Sequence, residues 1–371
     1  MGLTWGQLGN KLYKSAKLNR VPISGQFELT ARCNLHCRMC YVCRSANDKE
    51  TIQKERTAAE WISLAEQARE AGTLYLLLTG GEVFLREDFM EIYSKLASMG
   101  FHIEIYTNAT LITPNIAKAL GRIPPSKIGV TIYGASSETY EKVCGNANGF
   151  NMAMRGIDLL LSEGITLWIK TTVIKDNVND FDKIAEYAES RGIEFGIVSY
   201  ISPRREGCEA CPDDERLSPL ELISFRANAS NYFSKKYVQA SIVDPDNCIL
   251  KDETTEINSV NILFSETIDA FGCGAGKCSF WITWDGRMTP CGLMDEPSTF
   301  PFKNGFTNAW NDTQKKCFAI PSCDECQECT YKEECMSCPA RLKLETGFYN
   351  KSAPYLCELI KSKYEKEVMK E

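Results

Sequence analysis

Three thiols fall within eight residues of one another, in the stretch Cys33-Asn34-Leu35-His36-Cys37-Arg38-Met39-Cys40. Thiolates are the natural ligands of iron-sulfur clusters, and a 4Fe-4S cube takes four of them. Three on one short loop leave the fourth iron open, and an open iron can hold a small chelating ligand. The pattern suits a catalytic cluster better than an electron-transfer one, whose irons are normally all capped by protein. A second cysteine-rich region lies near the other end of the chain. It runs Cys273, Cys278, then Gly286-x4-Cys291, then Cys326-x2-Cys329-x5-Cys335-x2-Cys338, and Cys357. Taken alone, its paired CxxC units read as a zinc knuckle.

Composition narrows the remaining chemistry. Only two histidines occur, His36 and His102, which argues against a His-ligated zinc hydrolase or a Ser/His/Asp triad. The net charge of -7 gives no reason to expect a nucleic-acid or anionic-membrane partner. Residues 1–20 lack the apolar core of a signal peptide, and no run approaches the roughly 18 apolar residues of a membrane span. A cytoplasmic protein is expected, so 18 cysteines read as metal or cluster ligands in preference to disulfides.

The elements that must position these thiols follow an α/β rhythm. Strands are predicted at 23–30, 74–79, 102–107, 127–132, 166–173 and 194–199, with helices at 57–71, 87–99, 114–120, 150–162 and 181–190. Six βα units in succession imply a parallel sheet with helical crossovers. Functional groups collect at the C-terminal ends of such strands. The three-cysteine loop, Thr79-Gly80-Gly81-Glu82, Thr107-Asn108 and the Tyr133-Gly134 turn all fall there. The expected division is an N-terminal helix in 1–22, the βα array in 23–216, a linking helical region in 217–265, and a smaller cysteine-rich domain with a C-terminal helix in 266–371.

CxxxCxxC after the first strand and Gly-Gly-Glu after the second resemble the radical SAM enzymes. The resemblance implies a partial (β/α)6, TIM-like barrel. It also implies a 4Fe-4S cluster on Cys33, Cys37 and Cys40 whose open iron is chelated by S-adenosylmethionine, source of a 5'-deoxyadenosyl radical. Gly80 and Gly81 would let backbone approach the methionyl part, and Glu82 would accept a hydrogen bond from its amino group. Asn108, Thr131 and Lys170 are further candidates for ribose and carboxylate contacts. Two positions depart from the family pattern. Met39 stands where many relatives have an aromatic residue, and Cys144-Gly145 where they often have Arg-Gly.

The C-terminal cysteines resemble the SPASM extension found in a subset of the family. By its interleaved pattern Cys273, Cys278, Cys291 and Cys338 would hold one auxiliary 4Fe-4S cluster, and Cys326, Cys329, Cys335 and Cys357 a second, three clusters in all. Inert packing is the default for Cys144, Cys248 and Cys317. Cys43 and Cys323 lie near assigned ligands and could substitute for one. Cys208-Glu-Ala-Cys211 could be a redox pair or a solvent-facing loop.

Family members with this extension mostly modify ribosomally made peptides or proteins, so a peptide maturase forming an intramolecular crosslink is the first expectation. Formylglycine formation on a sulfatase comes second, because its basic aspartate has no counterpart at Gly292, with Asp295 the nearest acid. A small-molecule dehydrogenase is a third reading, and a non-catalytic cluster or zinc carrier is disfavoured by Glu82. The expected partners are a peptide or protein substrate and a reductant such as flavodoxin or ferredoxin; 22 residues before the first strand are too few for a built-in recognition domain, so either a separate leader-recognition protein presents the peptide or the barrel and its cysteine-rich extension bind it directly.

Overall fold

The computed structural model describes residues 5–42, 44–203, 212–236 and 270–368. Cys43, Cys208, Cys211 and Cys248 lie outside the described residues, as do Arg204 and Arg205, the basic pair expected to border the opening of the barrel. Six parallel strands form the barrel wall: β1 (Ser24–Thr30), β2 (Tyr75–Gly80), β3 (His102–Thr107), β4 (Lys127–Thr131), β5 (Leu167–Thr172) and β6 (Glu194–Val198). They lie side by side in chain order, each parallel to the next. This is a partial TIM-like barrel.

Alternation along each strand makes two faces. In β3, Ile103 and Ile105 enter the main hydrophobic core while Glu104 and Tyr106 take the opposite face and are only partly buried. In β1, Phe27 and Leu29 are fully buried, with the Phe27 ring 5.1 Å from that of Trp61 on helix α2 (Ala58–Glu70). That helix begins on a reciprocal cap: Thr57 accepts from the backbone of Glu60, whose carboxylate accepts from Thr57 N.

Two features depart from the sequence expectation. A short helix α3 (Ser137–Cys144) stands between β4 and the long helix α4 (Gly149–Ser162). Ser136 caps its start and Gly145, in the left-handed region at φ 65°, ends it. The second feature is a strand β7 (Ser279–Ile282) that joins the barrel sheet beside β1, parallel to it, with Ser24 opposite Ser279 and Phe27 opposite Ile282. A further strand β8 (Met288–Thr289) pairs antiparallel with β7. No helix among the described residues is long and apolar enough to cross a membrane.

Candidate active site

The three-cysteine loop leaves the C-terminal end of β1 and is held from both sides. At its root Glu55 accepts from Arg32 Nε at 2.8 Å, from Arg32 Nη2 at 3.0 Å and from the Thr30 hydroxyl. Arg86, itself buried, braces the same corner by donating to Leu29 O and Arg56 O, each at 2.9 Å. On the far side, His36 N donates to Cys144 O and Arg38 N to Val143 O, both at 3.0 Å, docking the loop on the last turn of α3. Asn34 Nδ2 adds a bond to Thr110 Oγ1 at 2.8 Å.

The thiols sit where a bare anion is disfavoured. Burial pushes the Cys33 thiol far above its ordinary value, and the Glu82 carboxylate adds to the effect. Cys37 is also pushed well up, first by its hydrogen bond with Cys144 and then by burial, with the Tyr133 hydroxyl opposing. Such thiols become thiolates when a bound cation supplies the opposite charge, as iron does. The donor set therefore fits an iron-sulfur cluster. Among the described residues, no three His, Cys, Asp or Glu side chains converge on a point that one metal ion would occupy.

Glu82 is fully buried at the turn after β2. Its carboxylate accepts from Thr107 Oγ1 at 2.8 Å, Asn108 N at 2.8 Å and Phe84 N at 3.2 Å, all of them neutral donors. Burial outweighs them and raises its pKa to about 7. A buried carboxylate with neutral partners is what an amino group of a bound ligand would answer. Gly80 and Gly81 serve a packing need of the chain itself. A Cβ on Gly80 would meet Thr30 O at 2.2 Å, and one on Gly81 would meet Arg32 O at 2.2 Å. Their bareness lets the Glu82 turn press against the root of the cysteine loop.

Glu82→Gln gives a separable test. The folded pKa lies above the unfolded value, so ionising Glu82 costs stability as pH rises from about 4.5 towards 7. The glutamine variant escapes that cost but can accept at only one of the two oxygen positions, so its melting temperature loses the fall between about pH 4.5 and 7 that wild type shows while being lower at acid pH. Its affinity for S-adenosylmethionine falls by roughly 10- to 100-fold, the worth of a hydrogen bond to a charged group. Equilibrium dialysis beside thermal melts reads both, and unchanged affinity would remove Glu82 from the cofactor site.

The other candidate contacts are placed differently from one another. Asn108 is buried and tied to the cysteine loop: Nδ2 donates to Asn34 Oδ1 at 3.0 Å and lies 3.7 Å from Cys33 Sγ, while Oδ1 accepts from Thr110. Thr131 and Lys170 are partners in the β4/β5 register. Lys170 Nζ stands 3.0 Å above the Tyr106 ring centroid, next to Trp168, whose Nε1 donates to Glu104 at 2.7 Å. They line the face of the sheet opposite the helices.

The C-terminal thiols form two groups. Cys273, Cys291 and Cys338 pack on one small core with Phe271, Met294 and Cys317, and Cys278 lies close enough to Cys273 to feel its charge. In the other group, burial pushes Cys326 up to about 12, followed by its hydrogen bond with Cys323 and the charges of Cys357 and Cys335. Cys357 is raised by burial and then by Cys335 and Cys329. Each group thus has an extra buried thiol beside it, Cys317 in one and Cys323 in the other. Cys144 stands in the same relation to the first loop. Inert packing was the expectation for Cys144. The available signal was its place one residue before the helix-ending glycine, where the family often has arginine.

Residues 27–188 match the model of the Radical SAM superfamily. The AdoMet-dependent heme synthase of Methanosarcina barkeri (strain Fusaro / DSM 804) is 27% identical over 334 residues, 89% of this chain and 94% of that protein. The sporulation killing factor maturation protein SkfB of Bacillus subtilis (strain 168) is 24% identical over 299 residues, 79% of this chain and 66% of that protein. Among solved structures, Streptococcus suis SuiB bound to S-adenosylmethionine superposes with a TM-score of 0.69 at 16% identity, covering 95% of this chain and 82% of that one. Fold and site together are those of a barrel enzyme with a cysteine-rich C-terminus. The chain belongs to the radical SAM superfamily, whose members bind S-adenosylmethionine and a 4Fe-4S cluster.

Proposed function

We propose that the protein oxidatively modifies a ribosomally made peptide, linking two of its side chains through a bond such as a thioether or a carbon-carbon bond. Cys33, Cys37 and Cys40 would hold the cluster, and Glu82 would orient S-adenosylmethionine. The chemistry supplied by that pair when bound is hydrogen-atom abstraction through a 5'-deoxyadenosyl radical. The chain's own part is to bind and orient the substrate and to exclude water; Cys273, Cys278, Cys291 and Cys338 would hold one auxiliary 4Fe-4S cluster and Cys326, Cys329, Cys335 and Cys357 a second, which would supply an acceptor for the substrate's second electron.

The observation that carries the peptide reading is the pairing of five guanidinium groups among the described residues. Arg32 pairs with Glu55 at 2.8 Å, Arg38 with Glu215 at 2.6 Å and Asp176 at 2.9 Å, and Arg86 with Asp88 at 2.7 Å. Arg216 pairs with Glu345 at 2.6 Å and Arg287 with Asp285 at 2.9 Å. Arginines committed to acids of their own chain offer little to a substrate bearing several carboxylates, whereas a peptide needs no such cationic rim. Asp295 lies 3.5 Å from Arg287, a paired acid, which keeps formylglycine formation in second place within the peptide class. The working partners are a peptide substrate and a flavodoxin- or ferredoxin-type reductant, in the cytoplasm.

A second reading, heme-forming chemistry on an iron porphyrin, is favoured by the heme synthase relative, 94% of which this chain covers. The two separate in one anaerobic experiment. Reduced, reconstituted protein is given S-adenosylmethionine with either a short cysteine-rich peptide or Fe-coproporphyrin III. The peptide reading expects 5'-deoxyadenosine and a peptide lighter by two hydrogens. Turnover with the porphyrin and none with the peptide would replace it.

A further inference from the structure

One side of strands β3 to β6 packs on the helices, and the other side carries a second constellation that faces the inside of the barrel. Its centre is Trp168 on β5, whose Nε1 donates to Glu104 Oε1 on β3 at 2.7 Å. The bond crosses the strand between them, β4, where Gly129 stands opposite both Tyr106 and Trp168. A Cβ on Gly129 would meet Trp168 Nε1 at 2.7 Å and Tyr106 Cδ1 at 2.8 Å, so the bond exists because that position is bare. On the other flank, a Cβ on Gly196 of β6 would stand 3.2 Å from Trp168 Cζ3. Glycine weakens the interior of a strand, and here two of them make room for one indole.

The bond leaves Glu104 half-satisfied. Among the described residues Trp168 is the one donor to this carboxylate, Oε2 accepts nothing, and no ammonium or guanidinium pairs with it. Lys127 pairs with Glu194 at 2.6 Å, and Lys170 Nζ stands 3.0 Å from the Tyr106 ring centroid. Burial raises the Glu104 pKa, against the Trp168 bond and the charges of Lys170 and Lys127. The carboxylate is only partly buried, and it lies on the same strand as Thr107, whose hydroxyl bonds Glu82. We propose that Glu104 anchors the substrate from the inner wall of the barrel, its Oε2 accepting an N–H of the bound molecule, amide or ammonium. This role rests on the peptide reading, because a peptide supplies such N–H groups whereas the carboxylates of an iron porphyrin supply only acceptors. Hydrogen bonds to an ionised, partly desolvated acceptor are the strong ones. Trp168 fixes the carboxylate before the substrate arrives, so little freedom is lost on binding. No bond is made or broken in this role.

The test follows indole N–H resonances of oxidised, reconstituted full-length protein carrying isotope-labelled tryptophan. The Trp168 resonance, identified by its absence from Trp168→Phe, reports on the carboxylate it touches. N-Methylacetamide supplies an amide N–H, ethylammonium an ammonium N–H, and N,N-dimethylacetamide the same amide group with no N–H. The resonance should move saturably with one of the first two and stay in place with the third, and the tighter of the two tells amide from ammonium. Glu104→Gln still offers its amide oxygen to Trp168 but turns an NH2 group towards the substrate, so its affinity for the N–H compound should fall roughly 10- to 100-fold. A wild-type resonance that ignores both N–H compounds, or moves equally with N,N-dimethylacetamide, overturns the proposal, as does an equal affinity in Glu104→Gln. If the glutamine form fails to fold, the comparison of the three compounds in wild type decides. Peptide turnover beside a negative result leaves the peptide reading standing without the anchor, whereas porphyrin turnover with no peptide turnover removes that reading and the anchor with it.

Discussion

Replacing Cys33, Cys37 and Cys40 together with alanine will reduce 5'-deoxyadenosine formation to background and lower the iron content from about twelve to about eight per chain, if all three sites carry 4Fe-4S cubes. The effect is large because the three thiols act as a unit. Leu35 N and Asn108 Nδ2 both face Cys33 Sγ, at 3.4 and 3.7 Å, so donors of the surrounding chain are arranged around a ligand sulfur. Anaerobic iron and sulfide analysis beside product chromatography reads both quantities. A triple variant that still made 5'-deoxyadenosine would remove the cluster assignment. Starting iron near four, with one or two zinc, would instead remove the auxiliary clusters and restore the zinc-knuckle reading of the C-terminal thiols.

Gly80→Ala is the substitution expected to cost the most stability for the fewest atoms. Gly80 has φ 140°, a backbone conformation that side chains rarely adopt, and its added Cβ would stand 2.2 Å from Thr30 O. The neighbour is strand backbone, fixed by the β1/β2 ladder, and cannot swing aside. Strain and overpacking of this kind each cost on the order of 1–3 kcal/mol, so a loss of about 2–5 kcal/mol is expected in anaerobic urea unfolding of the cluster-free protein. Measuring the metal-free form separates this packing role from any contact with S-adenosylmethionine. A loss below about 1 kcal/mol would mean that the turn relaxes and that Gly80 is there for the ligand instead.

How much of this was legible beforehand differs between strands, short helices and side-chain pairs. All six barrel strands stand within a residue or two of their expected limits, because each is a short apolar run and four of them follow a helix that ends at Gly72, Gly100, Gly164 or Gly192, for example the expected 102–107 against His102–Thr107. Thiol spacing is local and survives as a pattern, so the loop at 33–40 could be read directly. Helix α3 was missed although Ser136 and Gly145 mark its two ends. The pairing of β7 with β1 joins segments some 250 residues apart and leaves no trace in either one. Cys144 illustrates the same limit. Its partner is chosen by how one helix end docks on one loop, and nothing in a lone cysteine between Val143 and Gly145 announces that contact.

The ladder between β1 and β7 has a consequence for how the chain is made. Until residue 282 has emerged, the strand that leads into the cysteine loop has one bare edge, and a bare strand edge is a template for pairing with other chains. Ser24 N also bonds Cys278 O at 3.2 Å, so the same contact that covers the edge brings a C-terminal thiol to the foot of the barrel. Closing it means closing a loop of most of the chain, a slow event in folding. Barrel completion and arrival of the cysteine-rich region are thus one step, and the cell must keep the earlier product soluble while it waits.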